Sequence, residues 1–96
     1  MDIFICDDNT LICNEINSLV SEFFRTNNMT MPVFHTFTDG KSLLSSNVRP
    51  DIVFLDIQMP ELSGIDVGNI LHNKYPDAII IVITSFMDYL DDAMRF

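Results

Sequence analysis

Three stretches of the chain carry side chains that can do chemistry together: Asp7-Asp8, Asp56 and Thr84-Ser85. Each follows an unbroken apolar run: Ile3-Phe4-Ile5-Cys6, Ile52-Val53-Phe54-Leu55 and Ala78-Ile79-Ile80-Ile81-Val82-Ile83. Carboxylates gathered into one crevice repel one another, and their pKa values rise unless a cation neutralises them. Hard oxygen donors with no converging His or Cys favour Mg²⁺ over zinc, and Mg²⁺ keeps several waters that phosphate oxygens can replace. With a phosphoryl group held there, one carboxylate can act as an in-line nucleophile and become an acyl phosphate. Asp56, alone at the end of what should be a central strand, is the candidate nucleophile. The Thr84 hydroxyl, one strand away, is the candidate hydrogen-bond donor to a phosphoryl oxygen. Taken singly, an aspartate at a strand end is more often a turn residue or a helix cap. Acids at two strand ends with a hydroxyl at a third carry the functional reading jointly.

Gathering these residues needs a particular arrangement of elements. The three apolar runs, and Val33 to Phe37, read as strands, the continuous runs being those of strands buried on both faces. Between about Thr10 and Arg25, Ile12, Ile16, Leu19, Val20 and Phe23 fall at spacings of three and four, opposite Asn14, Glu15, Ser18 and Glu22, which predicts an amphipathic helix. Thr26-Asn27-Asn28 ends it, and Asp39 caps a short helix through Leu44. Ser63 caps a helix that ends near Lys74 and presents Ile65, Val67, Ile70 and Leu71 on one side. A last helix begins around Asp88. The order β-α-β-α-β-α-β-α predicts an α/β sandwich of three layers, a parallel sheet with right-handed crossover helices on both faces. Ligands of such open sheets bind at the C-terminal ends of the strands.

The chain has 96 residues, 48% hydrophobic and 20% charged, with 3 Gly and 4 Pro, which suits one globular domain and leaves no room for a second. Five Lys+Arg against 14 Asp+Glu give a net charge of -9, which repels phosphate backbones and anionic lipid surfaces, so direct nucleic-acid binding is not expected. Cys6 and Cys13 are too few for a disulfide scaffold and suit a reducing, cytoplasmic setting. The N-terminus lacks a basic region, and no apolar run approaches the length of a membrane span, so neither secretion nor membrane insertion is indicated.

Ile5-Cys6-Asp7-Asp8-Asn9, then Asp51-Ile52-Val53-Phe54-Leu55-Asp56-Ile57-Gln58-Met59-Pro60 with Gly64, then Ile81-Val82-Ile83-Thr84-Ser85, together resemble the receiver (CheY-like) domain of two-component response regulators. The resemblance runs over the whole chain. It implies a flavodoxin-like sheet in the order 2-1-3-4, with Asp56 as phosphoacceptor and Thr84 as the switch hydroxyl. It also implies Mg²⁺ held by Asp7, Asp8, Asp56 and the main-chain carbonyl of Gln58. A sensor histidine kinase would supply the phosphoryl group, and the domain would accept it without being a turnover enzyme. Asp88-Tyr89-Leu90-Asp91-Asp92-Ala93 looks like receivers attached to LytTR-type DNA-binding domains.

The resemblance also implies a fifth strand with a lysine, an aromatic switch residue and a fifth helix, all expected to be missing from a chain that stops in its fourth helix. Neither Lys41 nor Lys74 suits that lysine's place, so slow or undetectable phosphorylation is expected, because a preorganised positive charge contributes a few kcal/mol to such a transition state. Without the fifth strand, Ile79 to Ile83 becomes a sheet edge, and the expected partners include a second copy, through that strand or through the terminal helix. Two alternatives stand beside this reading. A haloacid dehalogenase-type phosphatase shares the strand-end Asp nucleophile but resembles D-x-D, where this chain has Gln58. A receiver-like interaction module would bind a protein partner without phosphorylation. His35 and His72 are expected at surface or partly packed positions, and Cys6 as a small core residue.

Overall fold

The computed structural model describes residues 1–83, and Thr84, Ser85 and the helix expected from Asp88 lie outside the described residues. Seven elements alternate: β1 (Asp2–Cys6), α1 (Thr10–Thr26), β2 (Val33–Phe37), α2 (Gly40–Leu44), β3 (Ile52–Asp56), α3 (Gly64–Lys74) and β4 (Ile79–Ile83). The strands form one parallel sheet in the order β2-β1-β3-β4, as the resemblance to receiver domains implies. Among the described residues, no helix is long and apolar enough to cross a membrane.

Alternation along β1 divides the core between the two faces of the sheet. Phe4 and Cys6 pack with Val53 and Leu55 against Leu43 of α2 and Val67 and Leu71 of α3. Ile3 and Ile5 pack on the other face against Cys13 and Phe24 of α1. Ile3, Phe4, Ile5 and Cys6 are all buried, so this strand has no solvent face, and each large apolar side chain so buried contributes ~1.5–3 kcal/mol.

Local signals end the helices where the spacing predicts. The Asn9 side chain accepts a 3.0 Å hydrogen bond from the Leu11 N–H at the start of α1. At its other end Asn28 adopts φ 54°, and the Met29 and Asn28 N–H groups donate to the Phe24 and Arg25 carbonyls at 2.9 and 3.2 Å. That is a Schellman-type stop with Asn in the left-handed position. Asp39 caps α2 and Ser63 caps α3.

The buried faces of the long helices differ from the expected stripes. On α1, Cys13 and Phe24 are buried, while Leu19 and Phe23 remain 68% and 57% exposed. Among the described residues α1 covers its side of the sheet alone, so only the residues pointing straight at β1 and β3 are enclosed. On α3 the buried line runs Gly64, Val67, Gly68, Leu71, leaving Ile65 and Ile70 exposed. A Cβ on Gly68 would meet Leu55 Cδ2 at 3.5 Å, ordinary van der Waals contact, whereas at Gly64 it would be driven into the Asp56 carbonyl, so Gly64 is the residue that lets the start of the helix lie against the end of β3. The fourth strand pairs as expected but is exposed at Ile79, Ile81 and Val82.

Candidate functional site

Parallel strands β1 and β3 lie side by side, Cys6 opposite Leu55, so the residues at their C-terminal ends emerge together. The fold therefore brings Asp7, Asp8 and Asp56 into one cluster, with a carboxylate oxygen of each within 4.8 Å of the others. Asp7 and Asp56 are buried, at 5% and 4% exposure, and Asp8 is exposed. They line an open cleft of about 1050 Å³ together with Thr10, Gln58 and Met59. No lysine or arginine lines it among the described residues. Lys41 pairs with Glu61 at 3.2 Å, and Arg49 with Asp77 at 3.7 Å.

Main-chain donors fix the two buried carboxylates. The Asn9 N–H donates to Asp7 Oδ1 at 2.9 Å, and the Gln58 N–H to Asp56 Oδ1 at 3.3 Å. The Asp7 N–H itself donates to the Phe37 carbonyl at 3.1 Å, which ties the acidic end of β1 to β2. Burial is the main cause that raises the Asp7 pKa, opposed by the Asn9 hydrogen bond and reinforced by Asp56 and Asp8. Burial likewise raises that of Asp56, opposed by the Gln58 N–H and reinforced by the Asp8 charge. Carboxylates held in this way gain from a cation, and the all-oxygen donor set suits a hard divalent ion.

Close backbone approach holds the β3–α3 loop beside Asp56. The Gly64 N–H donates to the Ile57 carbonyl at 2.8 Å, and a Cβ on Gly64 would lie 1.9 Å from the Asp56 carbonyl oxygen. Only glycine fits there. Glu61 in the same loop has φ 69°, a left-handed conformation that costs a non-glycine residue roughly 1–2 kcal/mol.

The structure brings together Asp7, Asp8, Asp56 and Gln58 of the expected site. Thr84 lies outside the described residues, directly after Ile83, which is in register with Asp56. Asn9, which both caps α1 and holds Asp7, was not among the expected site residues. Its signal is an Asn directly before a helical apolar pattern. The Cys6 thiol lies under the site, 3.5 Å from Met59 Sδ, and its pKa is pushed up to about 12, by burial above all and by Cys13, Asp39, Asp7 and Asp56. It is a core residue. His35, in the middle of β2 opposite Phe4, is half-buried against Asp2 and the Phe4 ring, and His72 is exposed.

The family model described as the response regulator receiver domain matches residues 3–96. An uncharacterized transcriptional regulatory protein of Bacillus subtilis, YhcZ, is 32% identical over 89 residues, covering 92% of this chain and 40% of that protein. An uncharacterized response regulatory protein of Vibrio cholerae is 28% identical over 93 residues, 95% of this chain and 34% of its own length. The chain thus spans about a third to two fifths of these relatives. The sensory transduction protein LytT of Oceanobacillus iheyensis is 36% identical over 55 residues, 53% of this chain and 22% of LytT. Among solved structures, the response regulator TrrA of Thermotoga maritima, in complex with Mg²⁺-BeF, superposes with a TM-score of 0.67 at 29% identity, over 95% of this chain and 75% of that one. A CheY-like receiver domain protein of Methanospirillum hungatei gives a TM-score of 0.75 at 19% identity, over 96% and 70% of the two chains.

Proposed function

The chain belongs to the response regulator receiver domains, the phosphoryl-accepting signalling modules of two-component systems, and we propose that Asp56 is its phosphoacceptor. The observation that carries this is the buried Asp56 carboxylate, within 4.8 Å of Asp7 and Asp8 in a cleft that no described Lys or Arg neutralises. A sensor histidine kinase is the proposed donor. One Asp56 oxygen attacks the phosphorus in line as the bond to the donor nitrogen breaks, leaving an acyl phosphate and a neutral imidazole once a proton reaches that nitrogen.

Asp7, Asp8, Asp56 and the Gln58 main-chain carbonyl are the proposed ligands of Mg²⁺. When bound, Mg²⁺ supplies positive charge that offsets the crowded carboxylates and the incoming phosphoryl oxygens. The Gln58 N–H, bonded to Asp56 Oδ1, holds the nucleophile's orientation. The Asn9 N–H does the same for Asp7. Thr84 is proposed as the hydroxyl that donates to a phosphoryl oxygen and reports the modification. The acceptor is consumed stoichiometrically, so the domain acts as a signalling element and not as a turnover enzyme.

A cytoplasmic setting is proposed, in keeping with the two free buried thiols Cys6 and Cys13. The likeness to LytT favours an output domain of the LytTR type. A second copy of this chain, meeting it at the β4 edge, is the other proposed partner.

Incubation with acetyl phosphate and Mg²⁺, read by intact mass, tests the acceptor role. One phosphoryl adduct is expected on the parent chain and none on Asp56→Asn. An equal adduct on Asp56→Asn, or none on a folded parent, overturns it. The second outcome would favour an interaction module without phosphorylation.

A further inference from the structure

Asp7 is held from three sides, and two of the holds come from the start of α1. Its N–H donates to the Phe37 carbonyl at 3.1 Å, a tie within the sheet. Its Oδ1 accepts the Asn9 N–H at 2.9 Å, and its carbonyl accepts the buried Cys13 thiol at 3.4 Å. Asn9 turns its acceptors the other way, into the helix. The side-chain oxygen accepts the Leu11 N–H at 3.0 Å, and the carbonyl accepts the Ile12 and Cys13 N–H groups at 3.1 and 3.2 Å. One residue therefore starts α1 with its acceptors and orients Asp7 with its donor.

The two roles are joined through the backbone of Asn9. It is extended, with φ -97° and ψ 109°, the conformation that a capping side chain fixes. Fixing it also fixes the direction of the Asn9 N–H relative to the helix. The first turn of α1 carries no acidic residue, so no carboxylate there supports the helix start and the cap falls to Asn9. Asn9 is exposed, and without the cap water competes for its main-chain groups. Cys13 is only 1% exposed, so its thiol has no water to turn to and stays on the Asp7 carbonyl.

We propose that Asn9 and Cys13 are positioning residues for the metal site, and that the first turn of α1 and Mg²⁺ bound through Asp7 stabilise each other. This rests on the reading of Asp7 as a Mg²⁺ ligand. Groups that hold a metal ligand in place without touching the metal are typically worth about 10–100-fold in affinity. Loss of the Asn9 side chain leaves its N–H present but no longer aimed, so the effect belongs at the lower end of that range. The linkage is reciprocal: whatever factor the cap adds to Mg²⁺ affinity, bound Mg²⁺ adds to the closed first turn.

Titration of Mg²⁺ into the isotope-labelled chain, followed at the amide resonances of Asp7, Asp8 and Asp56, measures the affinity. Asn9→Ala should weaken it about tenfold. Asn9→Ser, which keeps a capping oxygen, should restore most of the loss. Cys13→Ala should weaken it by a smaller factor, and Cys13→Ser, which keeps a donor, should not. Asn28→Ala weakens the same helix at its other end, where φ is 54°, and should leave the affinity unchanged. In the parent, saturating Mg²⁺ should slow amide hydrogen exchange at Ile12 and Cys13 by about the same tenfold and leave Asn27 and Asn28 unaffected. That measurement needs no variant and decides the matter if Asn9→Ala fails to fold. Equal affinity in the parent and Asn9→Ala, or no Mg²⁺-dependent protection of the first turn, overturns the positioning role and leaves Asp7 a ligand. Equal weakening by Asn9→Ala and Asn28→Ala overturns it too, since helix stability alone would then set the affinity. A parent that does not respond to Mg²⁺ overturns the metal site and the coupling together.

Discussion

Strands β1 and β3 carry aspartates at both ends, Asp2 and Asp7 on one, Asp51 and Asp56 on the other. At the N-terminal end the acids are tied off. Asp51 Oδ2 accepts the Asp2 N–H at 2.7 Å, Asp2 Oδ1 meets His35 Nε2 at 2.9 Å, and the Asp51 N–H donates to the Asp2 carbonyl at 2.8 Å. At the C-terminal end the same residue type is turned inward, buried, and set against two other carboxylates with only main-chain N–H partners. The first arrangement holds strand ends together. The second forgoes that, keeping like charges together in a cleft, and is worthwhile only where something positive arrives. Sequence position relative to the strand, and not residue type, separates a structural aspartate from a chemical one here.

The widest gap between the two ends should appear in phosphoryl acceptance. With acetyl phosphate and Mg²⁺, Asp7→Asn should lower the rate of adduct formation by roughly 100-fold or more, since metal charge stabilisation is worth several kcal/mol, while Asp51→Asn leaves it unchanged. Equal losses in both variants would erase the distinction. Next comes Gly64→Ala, whose Cβ would be driven into the Asp56 carbonyl. A loss of about 3 kcal/mol or more is expected in urea unfolding, because backbone on both sides must move.

Proton linkage gives a smaller, signed effect. Asp7 and Asp56 have folded-state pKa values above the ordinary 3.8, so the folded chain binds these protons more tightly than the unfolded chain. Their contribution to stability therefore falls as pH rises from 3.8 through the folded values, and the penalty is full above them. Without Mg²⁺, Asp56→Asn should melt a few degrees higher than the parent at neutral pH, with the difference closing toward pH 3.8. Added Mg²⁺ should narrow it by stabilising the parent alone. A difference that widens on acidification would refute the burial argument. Smallest are the purely structural changes. Ser63→Ala should cost about 1 kcal/mol through loss of the α3 cap, and Asp51→Asn less than about 0.5 kcal/mol, as suits an exposed hydrogen bond. A larger cost for Asp51→Asn would make the N-terminal end more than a fastening.

Much of this was legible from the residues. The apolar runs ending in Asp7 and Asp56 placed both strands and both acids, because a strand buried on two faces leaves an unbroken pattern and its polar terminus must leave the sheet. Asn27-Asn28, Asp39 and Ser63 marked helix ends through local hydrogen-bonding chemistry. The facing of α1 and α3 was less legible. Ile12, Ile16, Leu19, Val20 and Phe23 define a broad arc, and which part of it is enclosed depends on how many helices share that side of the sheet. On α3 the decisive residue was Gly64, which carries no hydropathy signal and acts by letting the start of the helix approach the Asp56 backbone. The fastening of Asp2 by His35 and Asp51 joins residues far apart in sequence, and only the strand register shows it.

The central place of β1 also bears on how the chain is made. Its neighbours are β2, which pairs Asp2 with Val33, and β3, which pairs Ile3 with Ile52. At a synthesis rate of about 5–20 residues per second, the first strand waits seconds for its second neighbour, whereas apolar collapse takes roughly microseconds to a hundred microseconds. The strand that ends up most deeply enclosed is translated before both of its neighbours and stays half-sheltered until β3 has left the ribosome. That interval is when a chaperone, or another nascent chain, competes for it.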